Sequence, residues 1–146
     1  MKVSSRTRYG MRLMLALALN YGKGPSLLRD IANKEKISEK YLSQIIIPLK
    51  AQGLVNSFRG AKGGYVLSRL PSEITLREIV ETLEGGLKLV DFGKDSLVHD
   101  QLSILVTSSI WQKINDDIFN TLENKTLKEL VKEYKSKDKK EIIYNI

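Results

Sequence analysis

The sequence predicts a mainly α-helical fold with a small β-hairpin, namely a winged helix-turn-helix followed by a long C-terminal dimerisation helix. A capped amphipathic helix over residues 38–52 is followed at once by two β-type segments around a glycine-rich turn. A second apolar stripe at helical spacing extends over residues 102–122. Residues 1–70 hold 13 Lys and Arg against 3 Asp and Glu, whereas residues 71–146 hold 11 against 14. The predicted hairpin half is therefore the basic half, as a module that binds a polyanion requires.

The composition argues against an enzyme. The 146 residues include no cysteine and one histidine, His99, so disulfides, thiolate metal sites and cysteine nucleophiles are excluded. No nucleophile elbow or metal-ligand spacing accompanies His99, which we expect in a solvated loop, and we expect neither a metal nor a cofactor. No apolar run approaches the ~20 residues that cross a bilayer, and the N-terminus lacks a signal-peptide pattern. We expect a cytoplasmic protein without a membrane partner.

The first helix is predicted over residues 6–21. It is apolar on almost all sides, which is expected of a helix at the centre of a core. Ser4, Arg6 and Arg8 at its start combine backbone N–H groups with positive charge, which suits a DNA phosphate. An ordinary capped surface helix is the alternative interpretation of these residues.

A second helix over residues 27–34 and a short turn lead to the predicted recognition helix, which begins at the N-cap Ser38. Its apolar residues recur every three or four positions and predict a buried stripe: Leu42, Ile45, Ile46 and Leu49. We expect the following side chains to face DNA: Ser38, Lys40, Tyr41, Ser43 and Gln44. Pro48 removes one backbone hydrogen bond, so a break near Ile47 is the alternative to one continuous helix.

Residues 54–59 and 65–68 predict the two strands of the wing. Arg59 at its edge is expected to enter the minor groove, and Lys62 at its tip to meet phosphate. Gly63 and Gly64 would let the backbone approach the duplex closely. The alternative is a small α+β core whose hairpin carries charge for solubility.

Thr75 and Glu78 have the spacing of a capping box, which predicts a fourth helix up to Glu84. The glycine pair that follows marks the predicted boundary between a DNA-binding domain, residues 1–86, and a C-terminal part, residues 87–146. A second capping-box spacing begins at Thr126, and a charged, solvated run over residues 135–141 precedes an apolar end.

The long helix after about residue 100 carries an apolar stripe that its own small domain offers too little surface to cover. A second copy of the helix would cover it, with Trp111 as a bulky anchor. The predicted dimer interface comprises Leu102, Leu105, Val106, Ile110, Trp111, Ile114, Ile118 and Leu122. Packing back onto the same chain is the alternative.

These elements resemble the Rrf-two family of bacterial winged-helix transcription regulators over nearly the whole chain. The matching segments are Arg8-Tyr9-Gly10, Ile31-Ala32, Ile37-Ser38-x-x-Tyr41-Leu42-x-Gln44, Gly53-Leu54-Val55, Arg59-Gly60-x-x-Gly63-Gly64-Tyr65, Trp111 and Thr126-Leu127-x-x-Leu130. The resemblance implies a homodimer bound to an inverted-repeat operator, with the long helix as the dimer contact.

The chain departs from the family pattern at two places. Cluster-binding members carry three cysteines and a histidine, but alignment on Trp111 places Leu105 at the last cysteine position and Ser108 at the histidine position. Ser43 stands where many members use Glu to read a base, so the operator sequence does not carry over. Among cysteine-free members the chain is most similar to the repressors of cysteine metabolism, which implies a cysteine-biosynthesis enzyme as partner.

The sequence therefore predicts a sequence-specific regulator that binds double-stranded DNA, namely a homodimeric repressor. The alternative is a winged-helix protein-interaction module that has lost DNA binding. A nucleotide-handling enzyme does not fit, because a phosphate loop opens a helix and residues 60–64 precede a strand.

Overall fold

The computed structural model describes residues 2–86 and 102–144. These residues form a mainly helical fold with one two-stranded antiparallel sheet, so the predicted fold class is confirmed. The elements are α1 (Ser5–Leu19), α2 (Leu28–Glu35), α3 (Glu39–Ala51), β1 (Val55–Phe58), β2 (Gly64–Leu67), a 3-10 turn (Pro71–Glu73), α4 (Leu76–Glu84), α5 (Leu102–Glu123) and α6 (Leu127–Tyr144). No helix in the described ranges is long and apolar enough to cross a membrane. His99 and the loop predicted around it lie outside these ranges.

Helix α1 lies at the centre of the core, as its nearly continuous apolar surface predicts, and it contacts α2, α3, α4, α6 and β2. Gly10 permits its closest approach to another helix. A Cβ on Gly10 would lie 2.2 Å from Leu83 Cδ1 and 3.2 Å from Ile45 Cγ2. A glycine inside a helix costs conformational entropy, and here the close contact with α4 and α3 accounts for it.

The helix-turn-helix closes as its local sequence predicts. Lys36 ends α2 in the left-handed conformation, with φ 57° and ψ 41°. Ile37 is buried beneath the turn, and the Ser38 hydroxyl caps α3 by accepting a hydrogen bond from Tyr41 N at 3.3 Å. Helix α3 then continues through Pro48 to Ala51, so one continuous helix forms and the alternative break near Ile47 does not.

The wing is tied to the rest of the domain by backbone hydrogen bonds. β1 and β2 are antiparallel. Val55 pairs with Leu67 at one end of the ladder, and Phe58 pairs with Gly64 at the other. Ser26 adds an isolated bridge to Tyr65, with N···O distances of 2.9 and 2.8 Å in the two directions. The hairpin therefore has a fixed position beside the loop that precedes α2.

Residues that follow the predicted domain boundary at residue 86 pack into the hydrophobic core formed by residues 1–86. Leu127 at the start of α6 is fully buried in that core, and Thr126 forms a bridge with Thr75. Leu130 and Val131 pack against the same cluster. The division at residue 86 stays a prediction, while the base of α6 packs as part of the winged-helix core.

Helix α6 is longer than the sequence predicts. The charged run over residues 135–141 is exposed, as expected, but it is helical and continues to Tyr144. Lys137 of this segment forms an ion pair with Glu133, one turn earlier, at 3.3 Å. Ile142, Ile143 and Tyr144 at its end are exposed, and the remaining residues of the apolar end lie outside the described ranges.

Candidate DNA-binding surface

The outward face of α3 presents exposed polar side chains. Lys40, Ser43 and Gln44 lie on this face, opposite a stripe of which no residue is more than 3% exposed. The buried stripe comprises Leu42, Ile45, Ile46 and Leu49. Ser43 Oγ donates to the carbonyl oxygen of Glu39 at 2.9 Å, which leaves its oxygen lone pairs free to accept. The face thus offers one cation, one amide and one hydroxyl to a groove.

Ser38 and Tyr41, which we expected to face DNA, have roles within the chain. The Ser38 hydroxyl is engaged as the N-cap of α3. Tyr41 is half-buried and packs edge-to-face against Tyr9 of α1, with ring centroids 5.8 Å apart. This contact fixes the start of α3 relative to α1.

A cluster of aromatic and basic side chains borders the start of α3. Arg8 and Arg12 lie against the Tyr9 ring, with Cζ 5.9 and 5.6 Å from its centroid. Arg12 also donates to the carboxylate of Glu35 at 3.0 Å and to its backbone carbonyl, which joins α1 to the end of α2. Neither Tyr9 nor Arg12 is among the predicted site residues, because only the fold brings Tyr9 to α3 and Arg12 to the end of α2.

Ser4 serves the fold as a helix cap. Its hydroxyl accepts from Thr7 N at 3.1 Å, and its N–H donates to Glu84 Oε1 at 2.8 Å. The carboxylate at the end of α4 therefore accepts from the Ser4 N–H, while the contact of this helix start with a DNA phosphate stays a prediction. Arg6 and Arg8 beside it are exposed, and Arg8 donates to Ser5 Oγ at 3.0 Å.

In the wing, Arg59 and Lys62 are exposed at the hairpin tip. Lys62 also lines an open cleft of about 620 Å³, whose other charged lining residues are Lys23, Asp30, Lys34 and Glu35. The two glycines serve the hairpin itself. A Cβ on Gly63 would lie 2.4 Å from the carbonyl oxygen of Phe58, and one on Gly64 would lie 2.5 Å from that of Ser26.

The predicted dimer residues divide into two groups along α5. Five of them are exposed in the single chain, at 39–74%: Leu102, Leu105, Val106, Ile110 and Trp111. Ile114, Ile118 and Leu122 are half-buried, and Leu122 packs against the core. The Cζ atom of Arg77 in α4 lies 4.6 Å from the ring centroid of Phe119, and its Nη1 lies 3.7 Å from Glu123 Oε2. These contacts fix the end of α5 against α4. Packing onto the same chain therefore accounts for the end of α5, whereas the apolar side chains of its first half are exposed among the described residues.

Comparison with known proteins identifies the same architecture. Residues 3–133 match the model of the Rrf2 family, described as an iron-dependent transcriptional regulator. The transcriptional regulator CymR of Bacillus subtilis is 38% identical over 130 residues, which cover 89% of each chain. The solved structure of CymR, the global cysteine regulator of B. subtilis, superposes with a TM-score of 0.80, at 37% identity and covering 90% of this chain and 97% of that one. The regulator IscR of Escherichia coli is 34% identical over 132 residues, which cover 90% of this chain and 80% of the relative.

The residues that the structure describes offer no site for the iron named in that family description. The sequence has no cysteine. Within residues 2–86 and 102–144, no three His, Asp or Glu side chains are placed to hold a metal ion together. The family match extends over most of the chain and the relatives are named as helix-turn-helix regulators, in agreement with the exposed α3 face. The chain is thus a DNA-binding transcription regulator and belongs to the Rrf2 (Rrf-two) family.

Proposed function

We propose that this chain is a homodimeric repressor that binds an inverted-repeat operator through α3 and the wing. The observation that carries the proposal is the α3 face, where Lys40, Ser43 and Gln44 are exposed beside the basic start of α1. The major groove admits one α-helix, and side chains near the start of that helix reach base edges. The buried opposite side holds the helix in place while the exposed side reads DNA.

Each polar side chain of α3 suits a particular base edge. Lys40 in the first turn donates to guanine O6 or N7, and the Gln44 amide pairs with adenine N6 and N7. Ser43 has no carboxylate, and because its hydroxyl donates to the carbonyl oxygen of Glu39, its oxygen serves as an acceptor. Ser38 and Tyr41 support these contacts by fixing the start of the helix.

Phosphate contacts supply the affinity that does not depend on sequence. Arg6 and Arg8 at the start of α1 and Lys62 in the wing are exposed cations in the half of the chain whose balance is +10, from 13 Lys and Arg against 3 Asp and Glu. Each neutralised phosphate releases counterions, so binding weakens as salt rises. Arg59 lies beside the glycine turn, where an arginine suits a narrow minor groove. Gly63 and Gly64 set the shape of the tip that presents these residues.

The proposed dimer is formed through the first half of α5. Five apolar side chains there are exposed in the single chain, and a second copy of the same helix covers them in a two-fold arrangement. A two-fold protein dimer requires an operator with matching two-fold symmetry. This requirement links the exposed face of α5 to an inverted repeat.

For the regulated genes, we propose cysteine metabolism. The supporting observation is the likeness to CymR, which is the global cysteine regulator of B. subtilis. As partner we propose a cysteine-biosynthesis enzyme. Co-purification of that enzyme with the tagged protein, tested with and without the enzyme's substrate, checks the partner independently of DNA binding.

The proposal is tested by sequencing DNA selected by the purified protein from a random duplex pool. The expected result is an inverted repeat, and the protein without DNA should have a mass of twice 16.5 kDa in light scattering. A reporter gene whose promoter carries the selected operator should then be expressed less when the protein is present. Recovery of unrelated sequences at every salt concentration contradicts the proposal and favours the interaction module without DNA binding.

A further inference from the structure

Ile47 lies on the face of α3 that we assign to DNA and is 64% exposed. It follows Ser43 and Gln44 at spacings of four and three, so its side chain continues the face that Lys40 begins. The stripe on the opposite side of α3 is buried without it. Within the described part of the chain, packing therefore covers only the smaller part of Ile47.

Its chemistry differs from that of its neighbours on this face. The side chains of Lys40, Ser43 and Gln44 carry hydrogen-bonding groups, whereas Ile47 offers only apolar surface. In the major groove, thymine is distinguished by its C5-methyl group, which apolar side chains contact. Isoleucine in a helix has one strongly preferred χ1 rotamer, so ordering its side chain costs little entropy.

Its position along the helix also suits a base contact. Seven residues separate Ile47 from Lys40, which corresponds to about 10 Å along the helix axis. That length spans about three base-pair steps of ~3.4 Å each. Lys40 and Ile47 therefore address different base pairs of the same half-site.

We infer that Ile47 is a specificity-determining residue that contacts the C5-methyl group of one thymine in each half-site. Single exposed apolar residues are common on protein surfaces, so the inference depends on the position of this residue on the α3 face. It rests on the proposed docking of α3 in the major groove. It adds an apolar contact to a surface otherwise described by charge and hydrogen bonds.

The test removes one methyl group at a time from the operator. Deoxyuridine replaces each thymine in turn, symmetrically in both half-sites, and the affinity of the wild-type protein is measured at fixed salt. At one position the replacement should weaken binding by about fourfold per half-site, the effect of one buried methyl-sized group. Ile47→Ala should weaken binding to the thymine operator and show no further loss with deoxyuridine at that position.

Leu70→Ala is the matched control, because it shortens another exposed apolar side chain, 47% exposed, outside α3. This variant should respond to deoxyuridine as the wild type does. Melting temperature and mass in solution should be unchanged in Ile47→Ala, because the residue is exposed.

Three results overturn the inference while leaving the proposed function intact. In the first, wild type and Ile47→Ala lose equal affinity with deoxyuridine at every position. In the second, the selected half-site contains no thymine. In the third, Ile47→Ala changes the mass of the particle, which assigns the residue to a protein interface. If the wild type prefers no sequence at all, the proposed function fails together with the inference.

Discussion

At the scale of single residues, several polar groups that we predict to contact DNA also hold helices together. Ser4 caps α1 and donates its N–H to Glu84, and Tyr41 packs on Tyr9. Sequence spacing identifies such groups as helix caps or surface residues, because a cap involves residues only a few positions apart in the chain. Their second partners lie 80 and 32 positions away in the chain and appear only in the folded molecule.

The contact between α1 and α4 predicts how stability depends on pH. Hydrogen bonds from the Thr7 side chain and from Ser4 lower the pKa of the Glu84 carboxyl below its usual 4.5. Because the pKa is lowered in the folded state, the charged carboxylate stabilises the fold above the ordinary pKa. That stability is lost as the pH falls through the folded-state pKa.

Glu84→Gln should therefore lower the free energy of unfolding at pH 7 by about 1 kcal/mol, because an amide accepts a weaker hydrogen bond than a carboxylate. In acid, where Glu84 is protonated, the two proteins should have similar stability. Urea titrations at pH 3 to 7 measure the difference, with Glu73→Gln, an exposed carboxylate outside this contact, as control. An equal difference at every pH contradicts the proposed role of the charge.

At the scale of elements, Gly10 permits the close crossing of α1 with α4. In Gly10→Ala the new methyl group would overlap Leu83 in a packed core, at a cost of about 1–3 kcal/mol. The gain of about 1 kcal/mol in helix propensity offsets part of this cost, so we expect the fold to be destabilised by up to about 2 kcal/mol. Chemical denaturation of the single variants and of Gly10→Ala with Leu83→Ala measures the coupling. If Gly10→Ala lowers the free energy of unfolding equally in the wild type and in Leu83→Ala, the proposed overlap with Leu83 is contradicted.

The exposed half of α5 leads to a prediction about assembly. Ile110→Asp should give a monomer, because the dimer would bury an unpaired charge, while the single chain leaves this position 49% exposed. Light scattering should change from twice 16.5 kDa to 16.5 kDa, with the helical circular dichroism signal retained. Asn120→Asp adds a charge at an exposed polar position of the same helix and should remain dimeric. A dimeric Ile110→Asp protein contradicts the assignment of the interface.

The elements differ in how far sequence predicts them. Caps and apolar spacing are local, so the starts of α3 and α4 follow directly from Ser38 and Thr75. The bridge of Ser26 to Tyr65 and the burial of Leu127 depend on contacts between distant segments, which periodicity does not encode. For the same reason, the sequence predicts the exposed Lys40 but not the internal packing of Gly64.

At the scale of the whole molecule, the absence of cysteine separates this chain from a cluster-based sensor. Protein purified without oxygen and incubated with iron and sulfide should show no visible cluster absorbance, because thiolate ligands are lacking. Its affinity for the selected operator should not respond to nitric oxide. Stoichiometric iron and sulfide with visible absorbance would contradict this prediction.

The central claim is that α3 reads bases while the surrounding cations bind phosphate. The most direct test measures the affinity of wild type, Lys40→Ala and Lys62→Ala for the selected operator and a scrambled duplex at several salt concentrations. Lys40→Ala should weaken binding to the operator by roughly 1–3 kcal/mol and change binding to the scrambled duplex little, because it removes a base contact. Lys62→Ala should weaken binding to both duplexes alike, and it should reduce the slope of log affinity against log salt concentration by about one. Equal losses on both duplexes for Lys40→Ala would contradict the claim.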